Sequence, residues 1–149
     1  MTDATTIPQI GGLFEVALYV DDLERSREFY TSLFGFRVVV PGDRVCGLSV
    51  CDRQMLLLFR HGGATEPSIN SMGDTVPPHN ATGQQHLAIS IADADYDAWK
   101  RRLEELEIPI ESEVAWKEGG HSIYFRDPDG HSIELATPAV WPGVRPESS

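Results

Sequence analysis

The sequence predicts an α+β fold built from two βαβββ modules, and three observations carry that reading. A strand-like stretch occurs twice, as FEVALYVDD at 14–22 and QHLAISIAD at 85–93, and both copies alternate in the manner of a half-buried strand. Each copy leads into an amphipathic helical pattern and then into three short strand-like runs. Between the halves lies HGGATEPSINSMGDTVPPHNATG, 61–83, whose Gly, Pro, Ser, Thr and Asn mark a linker or a lid. The expected organisation is a tail at 1–12, a first module at 13–60, the linker or lid at 61–83, a second module at 84–137 and a tail at 138–149.

In the first module the helix is LERSREFYTSLF, 23–34, with Asp22 as candidate cap and Gly35 as its stop. Phe29, Tyr30, Leu33 and Phe34 form its apolar face. The strands that follow are FRVVV (36–40), VCGLSV (45–50) and MLLLF (55–59). In the second module the helix is DYDAWKRRLEELEI, 95–108, ahead of Pro109, with Tyr96, Trp99, Leu103 and Leu106 on one stripe. Its strands are PIESEVAW (109–116), SIYFRD (122–127) and HSIELA (131–136). Asp127-Pro-Asp-Gly, between the last two, is a strong turn signal.

The chain has 149 residues and a formal net charge of −11, from 23 acidic residues against 12 Lys plus Arg. That balance argues against nucleic acid and anionic membranes as partners, because both require basic patches. No apolar run reaches the roughly 18 residues of a membrane span, and MTDATTIPQI does not read as a signal peptide, so a cytoplasmic location is expected. Cys46 and Cys51 are expected to be reduced structural thiols, too few for a thiolate zinc site.

One residue breaks the apolar pattern. Glu134 lies within Ser-Ile-Glu-Leu-Ala, and a lone carboxylate on a core strand costs several kcal/mol unless it is paired, protonated or bound to a metal. Strand parity suggests what waits for it. In the first strand Phe14, Val16, Leu18 and Val20 share one face, and Glu15, Ala17 and Tyr19 the other. In the first strand of the second half His86, Ala88 and Ser90 oppose Leu87, Ile89 and Ile91. In the last strand Ser132, Glu134 and Ala136 oppose Ile133 and Leu135. Glu15 and His86 hold matching places in the two repeats, so Glu15, His86 and Glu134 are expected to converge on one concave surface. A buried Glu more often has a cationic partner, for which Arg126 is the nearest candidate in sequence. The coincidence of three such residues at repeat-matched sites favours a divalent metal, with zinc, manganese, iron and nickel all open.

The motifs ALYVDDLERSREFYTSLFGF, QHLAISI and YFRDPDGHSIEL resemble the vicinal oxygen chelate superfamily, which includes glyoxalase I, extradiol dioxygenases, fosfomycin-resistance enzymes and bleomycin-binding proteins. The resemblance spans about 13–137. It implies a curved, half-open eight-stranded sheet of two βαβββ modules around a metal site. It places metal ligands on the first and last strand of each module, here Glu15, Leu57, His86 and Glu134. Leu57 cannot coordinate, and Glu15 stands where many relatives have His. The resemblance further implies Ser122 and Tyr124 as substrate-binding residues, from their S-x-Y-F spacing. His79 on the long loop and Trp116 are further candidates for substrate contact, Trp141 is a possible pocket wall, and His61, His121 and His131 are expected at the surface.

The function expected is a metalloenzyme acting on a small substrate that chelates the metal through vicinal oxygens, by Lewis-acid isomerisation, addition or lyase chemistry. Glu15, Glu134 and Tyr124 are the candidates for moving protons. The alternative is a small-molecule sequestering protein of the bleomycin-resistance type. The edges of so small a sheet need covering, and relatives pair their chains, so the protein is expected to sediment as a homodimer at micromolar concentration. A monomer in that measurement would contradict the expectation.

Overall fold

In the computed structural model, which describes residues 6–145, the elements follow the repeat. The first module comprises β1 (Glu15–Val20), α1 (Leu23–Phe34), β2 (Arg37–Pro41), β3 (Val45–Val50) and β4 (Gln54–Arg60). Within 61–83 the chain forms a small hairpin of β5 (Ser68–Ile69) and β6 (Thr75–Val76). The second module comprises β7 (His86–Ser90), a 3-10 turn at Asp93–Asp95, α2 (Tyr96–Glu105), β8 (Ile110–Ala115), β9 (His121–Arg126) and β10 (Ser132–Ala136). Each module forms a four-stranded sheet, ordered β1-β4-β3-β2 and β7-β10-β9-β8. In both, the first strand lies parallel to the last and the remaining pairs are antiparallel. Among the described residues no helix is long and apolar enough to cross a membrane.

Local chemistry explains the helix ends. The Asp22 side chain accepts from the Arg25 N–H at 3.1 Å, and Gly35 closes α1 at φ 72°, a left-handed conformation that costs glycine little. Helix α2 ends earlier than the expected 108. Glu107 adopts φ 56°, Ile108 N–H bonds back to Leu103 C=O at 2.8 Å, and Glu107 N–H bonds to Glu104 C=O at 3.0 Å. This closing motif turns the chain toward Pro109 and leaves Leu106 largely exposed, off the buried stripe that Leu103 anchors.

The helix-side faces of both sheets share one interior. Leu18, Leu48 and Leu58 of the first sheet join Ile123, Phe125 and Leu135 of the second, with Tyr30, Leu33 and Leu103 from the helices. Phe29 of α1 reaches Phe125, Phe34 packs on Trp99, and Arg102 donates to the carbonyls of Leu33 and Ser32 at 2.7 Å each. Each sheet therefore turns its other face away from this interior. At the start of β1 the apolar face outruns the core, and Phe14 is 74% exposed.

The turn from Asp127 to His131 joins the modules. The Tyr30 hydroxyl donates to Asp127 Oδ2 at 2.6 Å, and Asp127 Oδ1 accepts from the N–H groups of Asp129 and His131. The Asp129 carboxylate accepts from Asp21 N–H at 2.8 Å and from the Ser26 hydroxyl at 3.1 Å. The His131 ring accepts from Gln85 N–H at Nδ1 and so donates from Nε2 to Tyr19 C=O at 2.7 Å. His131 is 1% exposed, which corrects its expected place at the surface. A hairpin turn faces solvent by default, but this one is capped by the other module.

Burial, then the charge of Asp127 and the hydrogen bond to it, push the Tyr30 phenol well above its ordinary pKa. The folded state therefore keeps this proton above about pH 10, where the unfolded chain releases it. The stability contributed is fully present below that pH and falls as pH rises beyond it. Tyr30→Phe removes a donor from a buried carboxylate and is expected to lower stability at neutral pH by about 1–3 kcal/mol in urea denaturation. The variant should also lose stability less steeply above about pH 10. An alkaline slope equal to that of the parent protein would contradict this assignment.

Candidate metal centre

The outward face of the second sheet carries the strongest cluster of polar side chains from the sequence analysis. Strand β10 lies between β7 and β9, and its Glu134 is paired in register with Ala88 on one side and Tyr124 on the other. Glu134 is 6% exposed. Its Oε2 accepts from the Ser122 hydroxyl at 2.5 Å, and Ser122 Oγ accepts from the Trp116 indole N–H at 2.9 Å. Its Oε1 lies 3.3 Å from His86 Nε2. Arg126, the nearest cation in sequence, is directed elsewhere, to Glu111 at 2.9 Å and to the Gly130 carbonyl.

The His86–Glu134 contact has a specific electrostatic character. His86 Nδ1 lies 2.9 Å from the Ser132 carbonyl, which can only accept, so Nδ1 carries the proton. In a neutral ring Nε2 then has a lone pair, directed toward a carboxylate oxygen. Two lone-pair atoms converge there, and a cation, either a proton on Nε2 or a metal, is needed to reconcile them. Nε2 with Nδ1 held by a backbone carbonyl is a common form of a metal-binding His. The donor set, one imidazole and one carboxylate, fits a divalent transition ion.

Tyr124 borders the same place. Its ring stacks on that of His86 with centroids 6.3 Å apart. Burial, then the charge of Glu134, raise the Tyr124 pKa. Its hydroxyl thus stays protonated near neutral pH and is available as a donor.

The first module contributes to a different surface. Glu15 is exposed on β1 and does not gather with His86 and Glu134: among the described residues, the one set of three His, Cys, Asp or Glu whose ligand atoms lie within 4.8 Å of one another is Asp21, His61 and Asp129. The expected convergence of Glu15, His86 and Glu134 is therefore not met within a single chain. The two outward faces belong to different sheets around one shared interior, so matching positions of the repeat do not meet within a chain. Leu57, half-buried, lies opposite Ala17 and Gly47 and leaves the corresponding place in the first sheet apolar. His79 folds back onto this first sheet, where Nδ1 meets the Tyr19 hydroxyl and the ring lies edge-on to Phe59 at 4.6 Å. The set of exposed Asp21 and His61 with half-buried Asp129 arises because the docked turn brings Asp129 beside Asp21. Trp141 is mostly exposed.

The sequence signalled Ser122 and Tyr124 through their shared parity. It carried no signal that Trp116 bonds Ser122, because that contact depends on the hairpin in which Trp116 N–H meets the Gly120 carbonyl at 2.8 Å.

Comparison with known proteins agrees with this architecture. The catechol-2,3-dioxygenase of Bacillus subtilis is 30% identical over 122 residues, covering 79% of this chain but only 38% of that protein's length. The glutathione transferase FosA of Serratia marcescens is 29% identical over 126 residues, covering 83% of this chain and 78% of that protein. The crystal structure of a lactoylglutathione lyase from Agrobacterium tumefaciens superposes with a TM-score of 0.82 at 36% identity, covering 92% of this chain and all of that one (100%). The sequence model of one family matches residues 12–135, and the chain therefore belongs to the Glyoxalase/Bleomycin resistance protein/Dioxygenase superfamily.

Proposed function

We propose that the protein is a metal-dependent enzyme of this superfamily, acting on a small substrate with two adjacent oxygens, and that His86 and Glu134 of one chain are joined as ligands by Glu15 of a second copy. The observation that carries the reading is the convergence of His86 Nε2 and Glu134 Oε1 at 3.3 Å, with the other nitrogen of the ring committed to the backbone. A divalent ion bound there, whether zinc, manganese, iron or nickel, would supply Lewis-acid polarisation of the substrate oxygens.

The protein groups around that place have separable roles. Tyr124 lies beside the ligands with its proton retained, and it would donate a hydrogen bond to a substrate oxygen that gains charge. The exposed carboxylate of Glu15 is the candidate proton acceptor. A homodimer supplies Glu15 and also covers apolar surface that one chain leaves open, including Phe14, Val16 and the edge strand β2 with Val38, Val39 and Val40.

The names of relatives suggest thiol transfer, lyase or dioxygenase chemistry, and two residues narrow the choice. Glu15 in place of a His adds negative charge unsuited to an iron site of the two-His, one-carboxylate type. Leu57 puts an apolar wall where a fourth ligand would stand. Addition, elimination or isomerisation on an oxygen-chelating substrate is the chemistry that remains.

The protein is expected to bind about one divalent ion per chain by calorimetry. Partners that only orient a ligand cost about 10–100-fold when lost, so His86→Ala, which removes a ligand itself, should cost more. Glu15→Ala and His86→Ala chains should each bind poorly alone. Mixed after refolding together, they should recover about a quarter of the sites, because a two-fold dimer of one of each restores one complete set. No recovery on mixing would exclude a shared site, and absence of metal binding by the parent protein would exclude the metal reading. With zinc-, manganese-, nickel- or iron(II)-loaded protein, turnover of catechols and of the methylglyoxal–glutathione hemithioacetal is expected below about 1 per second. Faster turnover of either would overturn the roles given to Glu15 and Leu57.

A further inference from the structure

Trp116, Ser122 and Glu134 form a chain of hydrogen bonds with only one direction. An indole N–H can donate and cannot accept, so the 2.9 Å contact runs from Trp116 to Ser122 Oγ. The single Ser122 hydroxyl proton is then left for Glu134 Oε2, at 2.5 Å. A distance of 2.5 Å lies at the short end of O–H···O hydrogen bonds. Ser122 is 0% exposed, so its hydroxyl faces the protein and is not presented to a substrate.

We infer that Trp116 and Ser122 are positioning residues for Glu134: they hold Oε2 inside the protein and present Oε1 alone to His86 Nε2 and to the bound ion. The inference rests on the metal reading of the preceding subsection and deepens it. A carboxylate end group turns readily about its last torsion, which has a broad two-fold preference. Left free, Glu134 would offer an ion either oxygen or both. With Oε2 engaged by Ser122, Oε1 is the oxygen left to hold an ion, at a single place beside the imidazole. Trp116 supports this at one remove, because its N–H takes one Ser122 lone pair and directs the hydroxyl proton to Glu134. The tight Trp116–Gly120 turn brings the indole over β9, with Trp116 N–H on the Gly120 carbonyl at 2.8 Å and Gly119 N–H on the Trp116 carbonyl at 3.0 Å.

The test is titration of the full-length protein with manganese(II) and with zinc(II), comparing the parent with Ser122→Ala, Ser122→Thr and Trp116→Phe. Urea denaturation of the metal-free proteins runs in parallel. Ser122→Ala should weaken metal binding about 10–100-fold, the usual effect of removing a group that orients a ligand. Ser122→Thr, which keeps the hydroxyl, should restore most of it, and Trp116→Phe should give a smaller loss than Ser122→Ala. The second readout is the indole N–H resonance of Trp116, identified by its absence in Trp116→Phe. Saturating zinc(II) should shift it, because the ion draws charge from the carboxylate at the end of the chain. A parent protein that binds neither ion overturns the metal reading and this inference with it. A parent that binds metal while Ser122→Ala binds equally well, or whose Trp116 resonance does not move on saturation, overturns the positioning role alone. Should Ser122→Ala fail to fold, Trp116→Phe affinity and the resonance shift decide between the same outcomes.

Discussion

The buried ring of His131, donating to the Tyr19 carbonyl and accepting from the Gln85 N–H, is the contact on which the arrangement of the two modules depends. A neutral imidazole has one donor and one acceptor: the donor crosses the junction to Tyr19, and the acceptor takes the Gln85 N–H within the second module. Around it, Asp127 and Asp129 accept from Tyr30, Ser26 and the Asp21 backbone. Charged and polar groups of this kind are costly to bury unless satisfied. Here the bonds to Tyr30, Ser26, Asp21 and Tyr19 run between the modules, and the others hold the turn within its own module. The turn therefore acts as a keyed joint: apolar burial supplies the attraction between the two halves, and the polar set selects one way of meeting.

That joint has a direct consequence for the site. Because the helix-side faces of both sheets enclose one interior, the faces bearing Glu15 and Glu134 look outward from it. A repeat that places ligand-type residues at matching positions thus does not bring them together within a chain. His86 and Glu134 meet because both lie in one sheet, on adjacent strands held in register by the β7–β10 ladder.

The two outward faces have also diverged in chemistry. The second carries an imidazole, a carboxylate and a buried hydroxyl, each with a hydrogen bond that sets its direction, and a phenol whose ring stacks on the imidazole. The first offers Leu57 and Phe59, with Tyr19 and His79 paired at one end. Duplicated backbone geometry needs the same apolar positions on the helix side of each sheet, so these persist in both halves. The outward positions carry no such packing constraint and are free to differ. Glu134 is tolerated on an otherwise apolar strand because one oxygen accepts from the Ser122 hydroxyl and the other lies beside the His86 ring.

By itself the sequence determined the two modules, the bounds of α1, the eight main strands and the face on which each polar residue lies. Those properties follow from local periods of 2 and 3.6, from Asp22 and Gly35 as caps, and from turn residues a few positions apart. It also marked Glu134 as requiring a partner, because burying a carboxylate is expensive in any fold. Only the tertiary structure decided how the modules meet, and with it the burial of His131, the separation of Glu15 from His86 and Glu134, and the reach of Trp116 to Ser122. Alternation along a strand states which side a residue takes relative to its neighbours. It does not state what the whole sheet faces, because that depends on contacts between residues as distant as Tyr19 and His131, whose pairing leaves no period in the chain.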